Sequence, residues 1–296
     1  MDKIAKALDK ALKEQEDERK AGPVKVAKGP TLSAVTGHNV DKVSGPVGEE
    51  LQDSSFDTAG DLPKEPEDLS IDPKLIVYHE PESLAAEHFK LLRSRILHPS
   101  DGRELRTILV TSAMDDAGKT MVACNLALSI AQGVDPYALL IDADVRRSSV
   151  HKMFGLEPGI GLTDYLVGRE SLPSCFVKPA ISKLTILPSG EKVPNPAEII
   201  TSSRMKALLD EAKARYEDRF IIIDSPPVNL ASEVVDLAKL VDTVLMVVRC
   251  GGASKPLLEQ AINRLGRERI MGIVFNAYDR PSGKYGYYKK KNSYYK

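Results

Sequence analysis

The chain of 296 residues has little of several features that would place it in a specialised class. Its three cysteines, Cys124, Cys175 and Cys250, form no CxxC pair, which argues against a disulfide framework and a zinc site. No stretch approaches the roughly 20 apolar residues of a membrane span, and the N-terminus lacks the apolar core of a secretory signal. A net charge of −1 argues against a globally basic nucleic-acid binder. We therefore expect a reduced, cytoplasmic setting.

Composition shifts divide the chain into four parts. Residues 1–20 are predicted to form an amphipathic helix, which leaves four roles open: a fraying helix, one docked on its own domain, an anchor, or a helix that binds a partner. Residues 21–74 are rich in Gly, Pro, Ser and acids and predict a flexible linker. Residues 75–280 predict an ordered domain, and residues 281–296 a disordered tail.

Near-continuous apolar runs separated by helical stretches predict the fold of the ordered domain. Such runs are typical of parallel strands buried on both faces, and right-handed crossovers place helices on both sides of the sheet. The predicted strands are Thr107–Thr111, Ala138–Ile141, Leu184–Leu187, Phe220–Ile223, Thr243–Val248 and Met271–Phe275. The predicted helices span Pro81–Ile96 and follow Lys119, Pro196, Ala231 and Lys255. The order predicts an α/β fold of the P-loop NTPase type with a mostly parallel sheet.

The sequence AGKT at Ala117–Thr120 follows one predicted strand and opens a helix, as a phosphate-binding loop does. In such a loop the backbone N–H groups and the helix N-terminus face the phosphates. The lysine reaches the β and γ groups and the hydroxyl ligates magnesium, so Lys119 and Thr120 take these roles. The full pattern also has a glycine six residues before the lysine, where this chain has Ala113.

Two further runs, LLIDADVRR at Leu139–Arg147 and IIIDSPP at Ile221–Pro227, each lead into acids. Ligands of open α/β sheets bind at the carboxyl ends of the strands, so Asp142, Asp144 and Asp224 are expected near Lys119. Carboxylate oxygens are ligands that magnesium prefers. A single acid at a strand end is more often a turn or cap residue, but the three motifs together predict a nucleotide site.

The last 12 residues hold five of the ten tyrosines of the chain. These are Tyr285, Tyr287, Tyr288, Tyr294 and Tyr295. Five lysines between Lys284 and Lys296 are interleaved with them. Three interpretations stay open. The tail could bind nucleic acid by stacking its rings on bases, it could contact an acidic membrane surface, or its tyrosines could be phosphoacceptors, each phosphate adding about −1.5 to −2 charge.

These motifs together resemble the bacterial tyrosine kinases of polysaccharide synthesis and export, over roughly Tyr78–Lys296. Segments NPAEII at Asn195–Ile200 and GLTDYLVG at Gly161–Gly168 are also similar to that family. The resemblance implies an ATP- and Mg²⁺-dependent protein-tyrosine kinase that phosphorylates its own tyrosine tail in trans. It implies nucleotide contacts at Ala117, Gly118, Lys119, Thr120, Met121 and Asn276, and a metal held by Thr120, Asp142 and Asp224. Asp142 and Asp144 then serve to bind the metal and to accept the tyrosine proton, with Asp142 favoured as the base.

The resemblance also implies assembly into a ring through a motif E-x-x-R-x-x-R on an early helix. Glu87, Lys90 and Arg93 occupy its positions, and the middle lysine lacks the bidentate fork of an arginine. A solvated helix face would carry the same Glu–Lys pair. Implied partners are a membrane-embedded polysaccharide co-polymerase with a cytoplasmic tail, which recruits the kinase to the inner face of the plasma membrane, and a tyrosine phosphatase, with no nucleic acid.

Asp115 and Asp116 stand where the family usually has Pro-Gly, and both add negative charge near a polyphosphate. At an effective ε of about 20, one charge at 4 Å costs on the order of 4 kcal/mol, and far less if it points into water. A catalytically weak nucleotide-binding scaffold therefore stays open. So does a non-kinase ATPase switch of the partition and cell-division type, although Met114 stands where many of those carry a lysine.

Overall fold

The structure is a computed structural model that describes residues 70–215 and 218–278. The predicted N-terminal helix, the predicted linker as far as residue 69 and the tyrosine tail lie outside these ranges. No helix within the two ranges combines the length and the apolar content that crossing a membrane requires.

In the described residues, six strands form one sheet in the order β3-β2-β4-β1-β5-β6. Every neighbouring pair is parallel. The strands are β1 Thr107–Ser112, β2 Tyr137–Asp142, β3 Leu184–Leu187, β4 Arg219–Asp224, β5 Thr243–Arg249 and β6 Ile270–Asn276. Each predicted strand is present, and the predicted parallel α/β fold is confirmed.

Helices connect the strands and precede the first of them. They are α1 Ile76–His79, α2 Leu84–Leu97, α3 Lys119–Ala131, α4 Val150–Met153, α5 Leu162–Leu166, α6 Pro196–Ile200, α7 Ser203–Arg215, α8 Glu233–Leu240 and α9 Lys255–Leu265. Short 3₁₀ turns lie at Pro173–Cys175 and Arg267–Arg269. Helix α2 begins three residues after the predicted start at Pro81, because the Ser83 hydroxyl caps it by accepting a hydrogen bond from the Ala86 N–H.

Helix α3, which opens at the phosphate loop, lies in the middle of the core. Every residue from Val122 to Ala131 is buried. Asn125 is buried within it and ties it to the chain before α2: its Oδ1 accepts from the Val77 N–H at 3.0 Å, and its Nδ2 donates to the Lys74 carbonyl at 2.9 Å. These bonds satisfy a buried polar group and hold the helix that carries the phosphate loop in place.

The packed part of the domain begins before Leu75, the predicted boundary of the linker. Ile71 is 8% exposed and belongs to the core. The Asp72 N–H donates to the Met153 carbonyl at 3.0 Å. One buried isoleucine in a segment rich in polar residues leaves no periodic signal, so composition alone places the boundary too late.

Candidate active site

Asp142 and Asp224 lie side by side at the carboxyl ends of two adjacent strands. They are register partners in the pairing of β2 with β4. Strand β1 lies on the other side of β4 and leads into the phosphate loop. The structure therefore brings the second and third motifs to the edge of the sheet where the first one lies.

The phosphate loop turns into α3 at Gly118, which has φ +85. A side chain there would occupy the space of the Asn276 amide, and Asn276 Nδ2 donates to the Ala117 carbonyl at 2.8 Å. Because no side chain caps α3, its first N–H groups are left for a ligand, and the N-terminus of a helix favours anions. Asp116 also has a left-handed backbone, φ 57, which aspartate tolerates better than most residues.

Lys119 forms an ion pair with Asp144, with 2.9 Å between Nζ and Oδ2. Burial lowers the pKa of the Lys119 ammonium, but the charges of Asp224 and Asp144 outweigh it, and the net pKa is raised. The lysine therefore stays a cation at the mouth of the phosphate loop. Asp144 is 2% exposed, and its Oδ1 accepts from the Arg147 N–H at 3.1 Å.

Thr120 and Asp224 form the pair that fits a metal. The Thr120 hydroxyl donates to Asp224 Oδ2 at 2.6 Å, while Asp224 Oδ1 is buried and has no partner among the described residues. Burial and the charge of Asp142 raise the pKa of Asp224 well above its usual value. An orphaned carboxylate oxygen beside a hydroxyl and a second carboxylate is a hard-oxygen donor set suited to Mg²⁺.

Asp142 is fully buried and is held by backbone donors. Its Oδ1 accepts from the Asp144 N–H at 3.2 Å, and its Oδ2 from the N–H groups of Ser149 and Val150 at 3.2 and 3.1 Å. Burial raises the pKa of Asp142 to about 7, against the lowering effect of the Val150 N–H and with the help of the Asp144 charge. A carboxyl poised near neutral pH suits a general base.

Asp115 and Asp116, the two acids that depart from the family pattern, have different surroundings. Asp115 Oδ2 lies 3.0 Å from the Arg147 guanidinium, so its charge has a partner. Asp116 is exposed, and its carbonyl accepts from Arg249 Nη1 at 3.2 Å. The extra charge at the loop is thus partly compensated within the protein.

Sequence reasoning assigned no role to four residues that shape this site: Ser149, Arg146, Arg147 and Glu233. The Ser149 hydroxyl donates to Thr120 Oγ1 at 3.3 Å, and Arg146 Nε donates to Glu233 Oε1 at 3.0 Å. The two arginines end the second motif, LLIDADVRR at Leu139–Arg147, which was the available signal. Glu233 follows the third motif in an ordinary helical pattern and gives no signal.

The predicted interface residues lie on α2, which packs against α3. Lys90 pairs with Glu87 at 2.7 Å, and both side chains are exposed. Arg93 is turned inward, where its Nη1 donates to the Ser129 carbonyl of α3 at 2.5 Å. The predicted nucleotide contact Met121 is partly buried against the core. The five predicted phosphoacceptor tyrosines lie outside the described residues.

Comparison with known proteins decides the family. No protein-family model matches the chain. It is 33% identical over 223 residues to the tyrosine-protein kinase YwqD of Bacillus subtilis (strain 168), which covers 74% of this chain and 93% of that protein. This chain belongs to the bacterial tyrosine kinases. The tyrosine-protein kinase etk of Escherichia coli (strain K12) is 31% identical over 198 residues, but the match covers only 27% of that longer protein.

Solved structures agree with this assignment to the bacterial tyrosine kinases. The chimerical protein CapA2B2 is similar with a TM-score of 0.66 at 30% identity, covering 72% of this chain and 96% of that one. The kinase domain of the Escherichia coli tyrosine kinase ETK is similar with a TM-score of 0.64 at 29% identity, covering 72% and 84%. The chain is therefore a protein-tyrosine kinase, and its phosphate-loop fold implies the use of a nucleotide.

Proposed function

We propose that this kinase transfers the γ-phosphoryl group of ATP to the C-terminal tyrosines of another copy of the same chain. The acceptors are Tyr285, Tyr287, Tyr288, Tyr294 and Tyr295. The observation that carries the proposal is the convergence of Lys119, Thr120 and three buried aspartates at one edge of the sheet, in a chain that ends in a tyrosine cluster.

The phosphate loop binds the donor. The uncapped N-terminus of α3, from Gly118 to Met121, supplies backbone N–H groups to the phosphates, and the close packing of Asn276 fixes the loop. Asn276, at the end of β6, is also proposed to contact the adenine ring. Asp144 and Asp224 keep Lys119 a cation, and its ammonium contacts the β- and γ-phosphates of ATP.

Magnesium fits the donor set of Thr120, Asp142 and Asp224. The buried and unpaired Asp224 Oδ1 supports this, since such an oxygen normally has a partner. When bound, the metal supplies charge neutralisation at the phosphate oxygens. Asp224 stands next to the Thr120 hydroxyl and orients it. We propose that Asp224 meets the metal through water.

Transfer itself depends mainly on position and charge. Lys119 stabilises the negative charge of the moving group, and Asp144 fixes the Lys119 ammonium through the 2.9 Å contact. Asp142 accepts the proton of the attacking tyrosine hydroxyl. Its carboxylate is held for this role by the backbone N–H groups of Asp144, Ser149 and Val150.

The phosphorylated tail regulates the polymerisation and export of an exopolysaccharide or capsule. Each phosphate adds about −1.5 to −2 charge, so a fully modified tail reverses the charge of its lysines. We propose recruitment to the inner face of the plasma membrane by a membrane-embedded co-polymerase whose cytoplasmic tail activates the kinase, with a tyrosine phosphatase to reset it. Glu87 and Lys90 contribute to a ring of copies, in which one tail reaches a neighbour's site.

The trans mechanism is tested by mixing two chains. The donor chain carries phenylalanine at the five tail positions, and the acceptor chain carries Lys119→Met with an intact tail. Incubation with Mg·ATP should place phosphate on the tail of the acceptor, measured by peptide mass spectrometry. A donor with Lys119→Met as well is the control. Wild-type chains that modify themselves while this acceptor stays unmodified would refute transfer in trans.

A further inference from the structure

Glu233, the first residue of α8, is a buried acid in addition to the three aspartates of the site. It is 3% exposed. Its Oε1 accepts from Arg146 Nε at 3.0 Å and lies 2.9 Å from Arg146 Nη2. Its Oε2 is buried and has no partner among the described residues. Burying a carboxylate is unfavourable unless it is paired and fully hydrogen-bonded, so packing alone does not explain this residue.

The Arg146–Glu233 pair joins the segments that follow the two acid-bearing strands. Arg146 comes two residues after Asp144, beyond β2, and Glu233 follows the Asp224 motif, beyond β4. These strands are neighbours, with Asp142 opposite Asp224. The pair therefore links the part of the chain that carries Asp144 to the part that carries the proposed metal ligand.

Residues 144–147 make three ion pairs, two with the phosphate-loop segment and one with the start of α8. Asp144 pairs with Lys119, Arg146 with Glu233, and Arg147 with Asp115. The side chains of Arg147 and Asp115 are 69% and 31% exposed, whereas those of Arg146 and Glu233 are 47% and 2% exposed. Attraction between charges is stronger where water is excluded. The Arg146–Glu233 pair therefore holds residues 144–147 more firmly than the Arg147–Asp115 pair does.

We propose that Glu233 is a positioning residue for phosphoryl transfer: it holds Arg146, and through it the segment that places Asp144 against Lys119. The inference rests on the proposed function in that transfer takes place at Lys119. Since phosphoryl transfer depends on position and charge, a small displacement of Lys119 and Asp144 lowers turnover more than it lowers nucleotide binding. The nucleotide keeps the backbone donors of α3, which do not depend on Glu233.

The test uses Glu233→Gln, Arg146→Gln and the double variant in the full-length chain. Transfer to the Lys119→Met acceptor gives kcat, a fluorescent ADP analogue gives nucleotide Kd, and thermal unfolding gives the midpoint. We expect Glu233→Gln to lower kcat by about 10- to 100-fold while Kd changes by less than about threefold. Asp236→Asn is the matched control, because Asp236 forms an exposed pair with Lys239 on the same helix; its kcat should equal wild type.

The double variant separates positioning from stability. Arg146→Gln leaves a buried carboxylate without its cation and should lower the thermal midpoint, and adding Glu233→Gln should restore it. Turnover should stay low in the double variant and be no lower than in Glu233→Gln, because both changes remove one shared contact.

Three results would overturn the inference: kcat within twofold of wild type in Glu233→Gln, kcat that recovers together with the thermal midpoint in the double variant, or losses of kcat that add. A wild-type protein that transfers no phosphate to tyrosine would instead refute the proposed function. The same variants would then be compared by their rate of ATP hydrolysis, which uses the same Lys119 and Asp144, and an unchanged rate would overturn the inference.

Discussion

Asp115 and Arg147 form an ion pair, with 3.0 Å between the carboxylate Oδ2 and the guanidinium Nη1. Asp115 belongs to the phosphate loop and Arg147 to the second acid motif, so the pair connects two segments of the site. It also accounts for an acid in a loop that must bind a polyphosphate, because the added charge is balanced by a neighbour. The pair is largely exposed, and its energy is therefore modest, about 0–1 kcal/mol.

The first prediction concerns this balance of charge. Arg147→Gln leaves Asp115 unpaired and should weaken binding of ADP by about two- to fivefold at low salt, which corresponds to at most about 1 kcal/mol. Adding Asp115→Asn should restore the affinity. Titration of a fluorescent ADP analogue at low and high salt measures both. Equal affinities in wild type and Arg147→Gln at low salt would show that Arg147 does not shield the nucleotide from Asp115.

The second prediction concerns Gly118. Gly118→Ala should lower the free energy of unfolding by about 1–2 kcal/mol from the left-handed backbone alone, and further because the new methyl group meets the Asn276 amide. Gly102→Ala is the control. Gly102 has φ +71, and a methyl group there would have no atom within 4 Å, so this variant should lose only the stability that the left-handed backbone costs. Combining Gly118→Ala with Asn276→Ala should remove the collision. Chemical denaturation checks all three; equal losses for Gly118→Ala and Gly102→Ala would contradict the packing seen here.

The third prediction concerns the metal-free protein. Burial raises the pKa of Asp142 to about 7, so the folded state keeps a proton that the unfolded chain releases near pH 4. This group therefore stabilises the fold most below about pH 4, and the stabilisation is lost as the pH rises to about 7. Asp142→Asn should gain stability relative to wild type across that window. Denaturation in EDTA at several pH values measures the difference, and a constant difference would contradict the raised pKa.

The fourth prediction concerns assembly through α2. Lys90→Arg restores a fork that an acid on a neighbouring copy can meet in two places, so it should increase the oligomeric fraction. Lys239→Arg is the control, because Lys239 sits in a comparable exposed pair with Asp236. Sedimentation velocity at matched concentrations compares them. An oligomeric fraction that Lys90→Arg leaves unchanged would argue against this helix as the interface.

Arg93→Ala should lower the thermal midpoint of the monomer, since Arg93 binds the Ser129 carbonyl.

Sequence predicted the sheet well because β1 to β5 are almost wholly buried and appear as continuous apolar runs, and the partly buried β6 is apolar as well. It also predicted that Asp142, Asp144 and Asp224 would lie near Lys119, since the carboxyl ends of parallel strands share one edge. It did not predict which aspartate pairs with the lysine. Asp142 and Asp144 are two residues apart in the same motif. In the structure the backbone N–H groups of Ser149 and Val150 hold Asp142, which leaves Asp144 as the partner of the lysine.

Contacts between distant side chains were beyond sequence reasoning. Arg146 and Glu233 are 87 positions apart, and no local pattern marks either as a partner of the other. The same holds for Asn125, whose amide binds the backbone of residues 48 and 51 positions earlier. Such pairs depend on how helices pack on the finished sheet. Composition likewise placed the start of the domain too late, because Ile71 enters the core from a polar stretch.

The central claim is that this chain phosphorylates its own tyrosine tail at the site built around Lys119. Intact-mass measurement of the full-length protein after incubation with Mg·ATP, followed by peptide mapping of residues 279–296, tests it most directly. We predict added phosphates on tail tyrosines that are absent from Lys119→Met. A wild-type tail that stays unmodified in protein shown to bind nucleotide, or a Lys119→Met chain that is modified to the same extent, would contradict the account.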